Sequence, residues 1–169
     1  MPLEDGKVEV VVSGLVLNFV PEKSPALKEM LRAAKHGGTI AAYVWDYAGE
    51  MPLMRYFWNG VSELFPNGAA QDEGKQFPIC KREPLADLFK AAGLNAIKTT
   101  ALEAPTIFTD INDYWSPFLR GQGPAGAYCV SLRDDQREQL RRKIEDKLPY
   151  APDGSIPLTA RAWAVRRTA

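Results

Sequence analysis

The sequence has very few of the residues that build metal centres or disulfide scaffolds. Its 169 residues include two cysteines and one histidine. A structural zinc site needs about four Cys or His ligands, and a disulfide framework is uncommon in a chain of this length. We therefore expect no metal site. Cys80 and Cys129 are expected to be ordinary reduced thiols in a cytoplasmic protein.

The sequence also lacks an excess of charge of either sign, because 21 Lys and Arg balance 21 Asp and Glu. Binding to nucleic acid depends on a basic surface, so we expect no nucleic-acid partner. The most apolar early run, Val8–Val20, is short and contains Glu9 and Asn18, which argues against a membrane span. No segment has the pattern of a signal peptide. The balance of 46% hydrophobic and 25% charged residues is typical of one globular domain.

What the sequence does contain is an alternation of strand and helix patterns. Val8–Ser13 and Thr39–Trp45 are apolar runs typical of strands that are buried on both faces. Between them, Ser24 is a predicted N-cap with Pro25 as the first helical residue, and Gly37-Gly38 is the predicted helix end. A strand, a helix of about ten residues and a second strand form a right-handed crossover, which predicts a parallel sheet.

The remainder of the chain adds more helices than strands. An amphipathic helix is predicted around Leu53–Leu64, because Leu53, Phe57, Val61 and Leu64 have near-helical spacing. Pro66 is predicted to end this helix. The other predicted elements are a polar loop at 67–76, a helix at 83–92, a strand at 96–102, a helical segment that begins at 110–114, a flexible loop at 121–126, a surface helix at 134–148 and a closing strand at 158–166.

Three segments carry a family resemblance. Met1–Ser13 follows the pattern LPFxDxxFDVVxS, Ala26–Gly38 follows a helix that ends in RVLKPGG, and Leu85–Leu94 follows LxxLFxAAGL. In this order they resemble class I S-adenosylmethionine-dependent methyltransferases, in particular the ubiquinone/menaquinone-biosynthesis-like subgroup. The resemblance implies an α/β, partial Rossmann-like methyltransferase fold whose sheet is mostly parallel, with an antiparallel final strand. It also implies one domain over residues 1–169 with helical cap insertions at about 46–79 and 108–149.

Two diagnostic features of that family are missing from the sequence. It has no GxGxG loop after a strand. The family's second strand, which ends in the acidic residue that holds the ribose, is also absent. The resemblance therefore implies the C-terminal part of the family fold, beginning just before its fourth strand. We expect a fragment, a mis-started reading frame or a natural truncation that binds S-adenosylmethionine weakly or not at all.

The resemblance also implies where a site would lie, because ligands of open α/β sheets bind beyond the carboxyl ends of the strands. For the cofactor it indicates Ser13, Gly14, Leu17 and Asn18. Asp46 or Tyr47 would act as a base or orient a small-molecule acceptor. The substrate-binding candidates are Trp45, Met51, Arg55, Trp58, Tyr114 and Trp115. The competing interpretation is that Leu17 covers the sheet and that the aromatic residues are core.

Two other functions remain open at this point. The chain could be a non-enzymatic methyltransferase fold that acts as a binding or self-association module. An unpaired apolar strand at 8–13 predicts a homo-oligomer formed through that edge, because such edges are normally paired or covered. A small-molecule binding protein that uses the aromatic segments 43–58 and 114–118 is the third interpretation.

Overall fold

The computed structural model describes residues 2–168, with side chains as far as residue 167. Its four strands are β1 (Val8–Gly14), β2 (Ala34–Trp45), β3 (Ile97–Phe108) and β4 (Ile156–Thr168). They form one sheet in the order β1-β2-β4-β3. β1 and β2 are parallel, and β4 is antiparallel to β2. The predicted α/β fold, including an antiparallel last strand inserted into the sheet, is therefore confirmed.

Within the described residues, seven α-helices accompany the sheet. They are α1 (Lys23–Ala33), α2 (Pro52–Leu64), α3 (Glu73–Gln76), α4 (Arg82–Ala91), α5 (Ile111–Leu119), α6 (Gly123–Ser131) and α7 (Asp134–Glu145). No helix within residues 2–168 is both long and apolar enough to cross a membrane.

The first helix differs from its prediction at both ends. Its N-cap is Glu22, and no side chain caps the helix, so the prediction that Ser24 is the N-cap is wrong. The helix ends at Ala33 rather than at Gly37-Gly38. The backbone N–H groups of Gly6 and Lys7 donate to the carbonyls of Arg32 and Ala33, at 2.9 and 3.0 Å. These bonds satisfy carbonyls at the end of α1 and join the segment before β1 to that helix end.

The Gly-Gly pair lies inside the irregular start of β2. Val8 is paired with Ala34 and Val10 with Thr39, so the register jumps between them. Gly37 has φ of +84°, a left-handed conformation that glycine adopts without strain. A sequence signal that normally ends a helix therefore lies in a bulge-like irregularity at the start of β2.

No residue of β1 is fully buried, so the prediction that this strand is buried on both faces is wrong. Val11 and Ser13 lie beside Ile40 and Ala42 of β2, on the face that α1 covers. On the opposite face, the side chains of Val10 and Val12 are 55% and 53% exposed. Within the described residues β1 is an edge strand, since its only partner is β2.

Two predicted loops contain helix. The segment 67–76 forms a 3-10 helix, Pro66–Gln71, and then α3. The segment 121–126 contains the start of α6, and Gly126 within this helix is required by close packing. A Cβ on Gly126 would lie 3.0 Å from the carbonyl carbon of Gly121, which explains why a small residue is needed.

The chain divides into two compact units. The first comprises Met1–Asp46, Phe77–Leu102 and Arg161–Ala169, and it contains β1, β2, α1 and α4. The second comprises Tyr47–Gln76 and Glu103–Ala160, and it contains the remaining helices. The predicted insertions at about 46–79 and 108–149 fall largely within the second unit.

Candidate functional site

The carboxyl end of β1 has two unusual backbone features. Gly14 lies beneath the ring of Tyr43, because a Cβ there would be 2.5 Å from the Tyr43 Oη and 2.7 Å from its Cζ. The next residue, Leu15, has φ of +55° and donates its N–H to the Tyr43 carbonyl at 2.8 Å. A bulky residue in the left-handed region costs about 1–3 kcal/mol, and such strain is concentrated at functional sites.

The segment after β1 contains a buried amide without a partner. Leu17 and Asn18 belong to a 3-10 helix, Leu17–Phe19, and are 1% and 4% exposed. The Asn18 Nδ2 atom is buried and has no hydrogen-bond partner. A donor in this state normally finds an acceptor or a water molecule, since leaving it unpaired costs about 1–3 kcal/mol. Among the described residues of the first unit, Asn18 carries the buried side-chain donor that has no hydrogen-bond partner.

A mostly apolar groove borders the same strand end. It has a volume of about 520 Å³ and lies between β1 and α1. Its lining includes Ser13, Gly14 and Leu17 from the strand end, and Met30 from the helix. Of the four predicted cofactor residues, three line the groove and Asn18 follows directly in the chain.

At the end of β2, Asp46 forms an ion pair with Arg161 of β4. Its Oδ2 accepts hydrogen bonds from Arg161 Nε at 2.8 Å and Nη2 at 2.6 Å, and Asp46 is 3% exposed. The Arg161 guanidinium also lies 5.0 Å from the Trp163 ring centroid, within cation–π range. Because Arg161 occupies a carboxylate oxygen, the geometry favours a positioning role for Asp46 over that of a general base. Sequence reasoning did not single out Arg161, since a charged residue in a closing strand has no distinctive pattern.

The two cysteines are buried free thiols. Burial and the nearby Asp46 charge raise the pKa of Cys80 to about 12, and burial raises the pKa of Cys129 to about 11. Both raised pKa values favour the protonated thiols at neutral pH, as expected of cysteines in an apolar interior.

The aromatic residues predicted to bind substrate form the core of the second unit. Trp58 and Tyr114 are fully buried, and Tyr114 Oη donates to the Leu53 carbonyl at 2.7 Å. Phe57 stacks on Phe118 at 4.4 Å between ring centroids and meets Trp58 edge-on at 5.2 Å. Met51, Tyr47 and Trp115 are also buried, at 5–7% exposure. Packing accounts for these side chains, and their roles in binding substrate or acceptor stay predictions.

Arg55, also predicted to bind substrate, is held by an acid of the same unit. Its two terminal nitrogens donate to the two carboxylate oxygens of Asp72, with Nη1 at 2.9 Å from Oδ2. Asp72 is 4% exposed and accepts the Gly74 N–H at 2.8 Å as well. This bidentate pair fixes the guanidinium plane and anchors the start of α3.

A buried carboxyl in the second unit was missed by sequence reasoning. Glu73 is 2% exposed and accepts hydrogen bonds from Trp58 Nε1 and, at 3.1 Å, from the Ala125 N–H near the start of α6. Burial raises the pKa of Glu73. No local signal identifies it, because Glu73 stands in the polar stretch Gln71–Gln76, which is typical of a solvated loop.

The structure thus separates the candidate residues into two sets. Ser13, Gly14, Leu17, Asn18, Trp45 and Asp46 follow or end the two adjacent parallel strands of the first unit. Tyr47, Met51, Arg55, Trp58, Tyr114 and Trp115 belong to the second unit. The first set occupies the end of a parallel sheet where ligands bind in open α/β folds.

A family model described as a methyltransferase domain matches residues 1–42. That segment contains β1, α1 and the polar residues between them. No curated protein sequence matches the chain significantly.

Among solved structures, the chain is similar to three bacterial proteins. A candidate methyltransferase from Bacillus halodurans has a TM-score of 0.52 at 13% identity, covering 98% of this chain and 66% of that one. The YcgJ protein from Bacillus subtilis has a TM-score of 0.51 at 16% identity, covering 100% and 68%. A candidate methyltransferase from an antibiotic biosynthesis pathway of Anabaena variabilis has a TM-score of 0.51 at 18% identity, covering 100% and 70%.

The chain spans about two thirds of the length of these structures. The similarity extends over almost all of this chain, and two of the three proteins are described as methyltransferases. The chain therefore has the Rossmann-like α/β fold that these methyltransferase-related structures share.

Proposed function

We propose that the chain is a methyltransferase-like protein that binds S-adenosylmethionine and acts on a small-molecule acceptor. The observation that carries the proposal is the buried, unpartnered amide nitrogen of Asn18 at the carboxyl end of β1. The methyltransferase family model covers the same residues, and the fold agrees with it.

The residues at this strand end fit part of such a cofactor. Asn18 supplies a buried N–H donor that suits an oxygen or ring-nitrogen acceptor, and the neighbouring groove is lined mainly by apolar side chains. Gly14 lies beneath the Tyr43 ring, and the left-handed Leu15 still donates its N–H to the Tyr43 carbonyl of β2. When bound, the cofactor supplies an activated methyl group on a sulfonium sulfur.

The role of the chain in this proposal is binding and alignment rather than acid–base chemistry. Asn18 donates to the ligand, while Ser13 and Gly14 line its position. Asp46, held by Arg161, fixes the end of β2 beside it. A small acceptor suits the zero net charge, which provides no general attraction for a polyanion.

We further propose that this chain alone binds the cofactor weakly. Candidate contacts come from only two strand ends, and the sequence contains no GxGxG loop that follows a strand. Each missing contact lowers the affinity. A tenfold loss of affinity corresponds to a loss of about 1.4 kcal/mol of binding free energy.

The test is a titration of the isotope-labelled chain with S-adenosylhomocysteine, followed by NMR chemical shifts. We expect shifts concentrated in residues 13–18 at millimolar ligand, and much smaller shifts with ATP, which shares the adenosine group. An absence of shifts at saturating solubility would overturn the proposed cofactor. Micromolar affinity would instead contradict the proposal of weak binding.

A further inference from the structure

The second unit contains a cavity that the proposed methyl transfer does not use. It has a volume of about 320 Å³, within the usual range of about 300–1,000 Å³ for ligand pockets. The end of α2, the 3-10 helix that follows it, α6 and α7 all contribute to it, and they all belong to the second unit. Its apolar walls are the side chains of Leu64, Phe65, Pro66 and Leu132.

The hydroxyl of Tyr128 in α6 is the best-buried polar group of this cavity. Tyr128 is 9% exposed, and its Oη makes no hydrogen bond to the residues that the structure describes. The unpartnered atoms that are fully enclosed in the described chain belong to Asn18 and Arg55, so the Tyr128 Oη is open to the cavity that it lines. Burial raises the pKa of Tyr128, so the phenol stays protonated at neutral pH and can donate.

The position of the phenol is fixed from two sides. A Cβ on Gly68 would lie 2.2 Å from the Tyr128 Oη, so the hydroxyl rests against the main chain of the 3-10 helix. The Gly68 N–H donates to the Phe65 carbonyl at 2.8 Å and is therefore not its partner. On the other side, the Trp58 ring lies 5.6 Å from the Tyr128 ring between centroids. Glu73 binds both the Trp58 indole N–H and the start of α6, which holds the donor in place before a ligand arrives.

The other polar groups of the cavity indicate what kind of ligand fits. Gln136 of α7 accepts the Arg133 N–H at 3.3 Å through its Oε1, which leaves its Nε2 as a donor, and Asn67 adds a second amide. Among the described residues no charged side chain lines the cavity. An ion would lose its hydration without gaining a counter-charge, which favours an uncharged ligand. The donors of Tyr128 and Gln136 suit an acceptor oxygen.

From these contacts we infer that the cavity binds a small uncharged molecule that has an apolar body and a carbonyl oxygen, with the Tyr128 hydroxyl donating to that oxygen. The inference is independent of the proposed methyl transfer, because every residue that carries it belongs to the second unit.

The first part of the test is a titration of the isotope-labelled chain with benzamide, followed by NMR chemical shifts. We expect shifts concentrated in residues 64–68 and 128–136. Benzoate, which has the same ring but a negative charge, should bind much more weakly. An absence of shifts up to the solubility limit of benzamide, shifts concentrated in other segments, or equal affinity for benzoate would overturn the inference.

The second part removes the hydroxyl alone. Tyr128→Phe should lower the benzamide affinity about three- to tenfold, the usual value of one hydrogen bond. Its free energy of unfolding should stay unchanged, because the ring remains and no bond within the protein is lost. The control is Tyr150→Phe, at a 44% exposed tyrosine of the same unit, which should bind benzamide as the wild type does. Unchanged affinity in Tyr128→Phe would contradict the inference, and so would a loss of stability, since it would show that the hydroxyl is bonded within the protein.

Discussion

Buried polar groups are hydrogen-bonded in the interior of the second unit, whereas one is left unpaired at the end of β1 in the first unit. In the second unit Glu73 accepts from Trp58 and Ala125, and the Tyr114 hydroxyl donates to the Leu53 carbonyl. At the end of β1, Asn18 keeps an unpaired N–H beside the left-handed Leu15. The first pattern stabilises the second unit, and we propose that the second pattern serves ligand binding at the expense of stability.

One atom in the second unit departs from this division. The Nε of Arg55 is buried without a partner, although both terminal nitrogens of the same side chain are bound to Asp72. The guanidinium is thus already oriented and neutralised. Asn18 differs because its single donor group has no partner and its side chain is not paired with a charge.

The largest contrast concerns the aromatic core. Phe57→Ala should lower the free energy of unfolding by about 3–5 kcal/mol, because Phe57 is fully buried and its loss leaves a cavity. The matched change in the first unit, Phe19→Ala, should cost only about 1 kcal/mol, since Phe19 is half exposed and contacts Phe77 edge-on. Denaturant unfolding measures both free energies. Equal losses of stability in the two variants would contradict the difference between the two units.

The next contrast concerns the buried carboxyl. Glu73→Ala leaves the Trp58 indole N–H and the Ala125 N–H without an acceptor, which should cost roughly 2–4 kcal/mol. Glu83→Ala, at an exposed position in α4, should change stability by no more than about 0.5 kcal/mol. If the two variants were equally stable, Glu73 would not be the anchor that its contacts indicate.

A stabilising substitution is expected at the strand end. Asn18→Leu has a similar volume and removes the unpaired donor, so it should raise the free energy of unfolding by about 1 kcal/mol. Asn59→Leu, on the exposed side of α2, serves as the control and should have almost no effect. A clear loss of stability in Asn18→Leu would show that the amide is satisfied in the folded protein.

The smallest expected effect is a pH dependence that arises from Glu73. Burial raises its pKa above the ordinary value of 4.5 in the folded state. The folded protein therefore binds this proton more tightly than the unfolded chain, and the associated stability is fully present below pH 4.5. It is lost as pH rises through the folded-state pKa. The stability of the wild type relative to Glu73→Gln should fall over that interval, and a constant difference would contradict the assignment.

The fold was predictable where local pattern and tertiary structure agree. The apolar run Val8–Ser13 and the strand Thr39–Trp45 appear as neighbouring parallel strands, and Pro66 follows a helix that ends at Leu64. The prediction that α1 ends at Gly37-Gly38 was wrong. The helix ends at Ala33, where the N–H groups of Gly6 and Lys7 bind its last carbonyls. The exposed face of β1 could not be read from composition, since a valine-rich strand has the same sequence whether or not a layer covers it.

The sequence was sufficient to propose the residues of a candidate site, but it did not indicate their chemistry. Family resemblance pointed to Ser13–Asn18, but no sequence pattern indicates that the Asn18 amide is unpaired or that Leu15 is left-handed. Hydrogen bonds between residues that lie far apart in the sequence could not be predicted either. Arg161 pairs with Asp46 across 115 positions of sequence, and Glu73 reaches Ala125 across 52.

The central claim is that the end of β1 trades stability for ligand binding at Asn18, and one paired measurement tests it. Wild type and Asn18→Leu are compared for free energy of unfolding and for S-adenosylhomocysteine affinity. The account predicts a more stable variant whose affinity falls by about tenfold or more, the equivalent of about 1.4 kcal/mol. A variant that binds the ligand as well as the wild type does would contradict it.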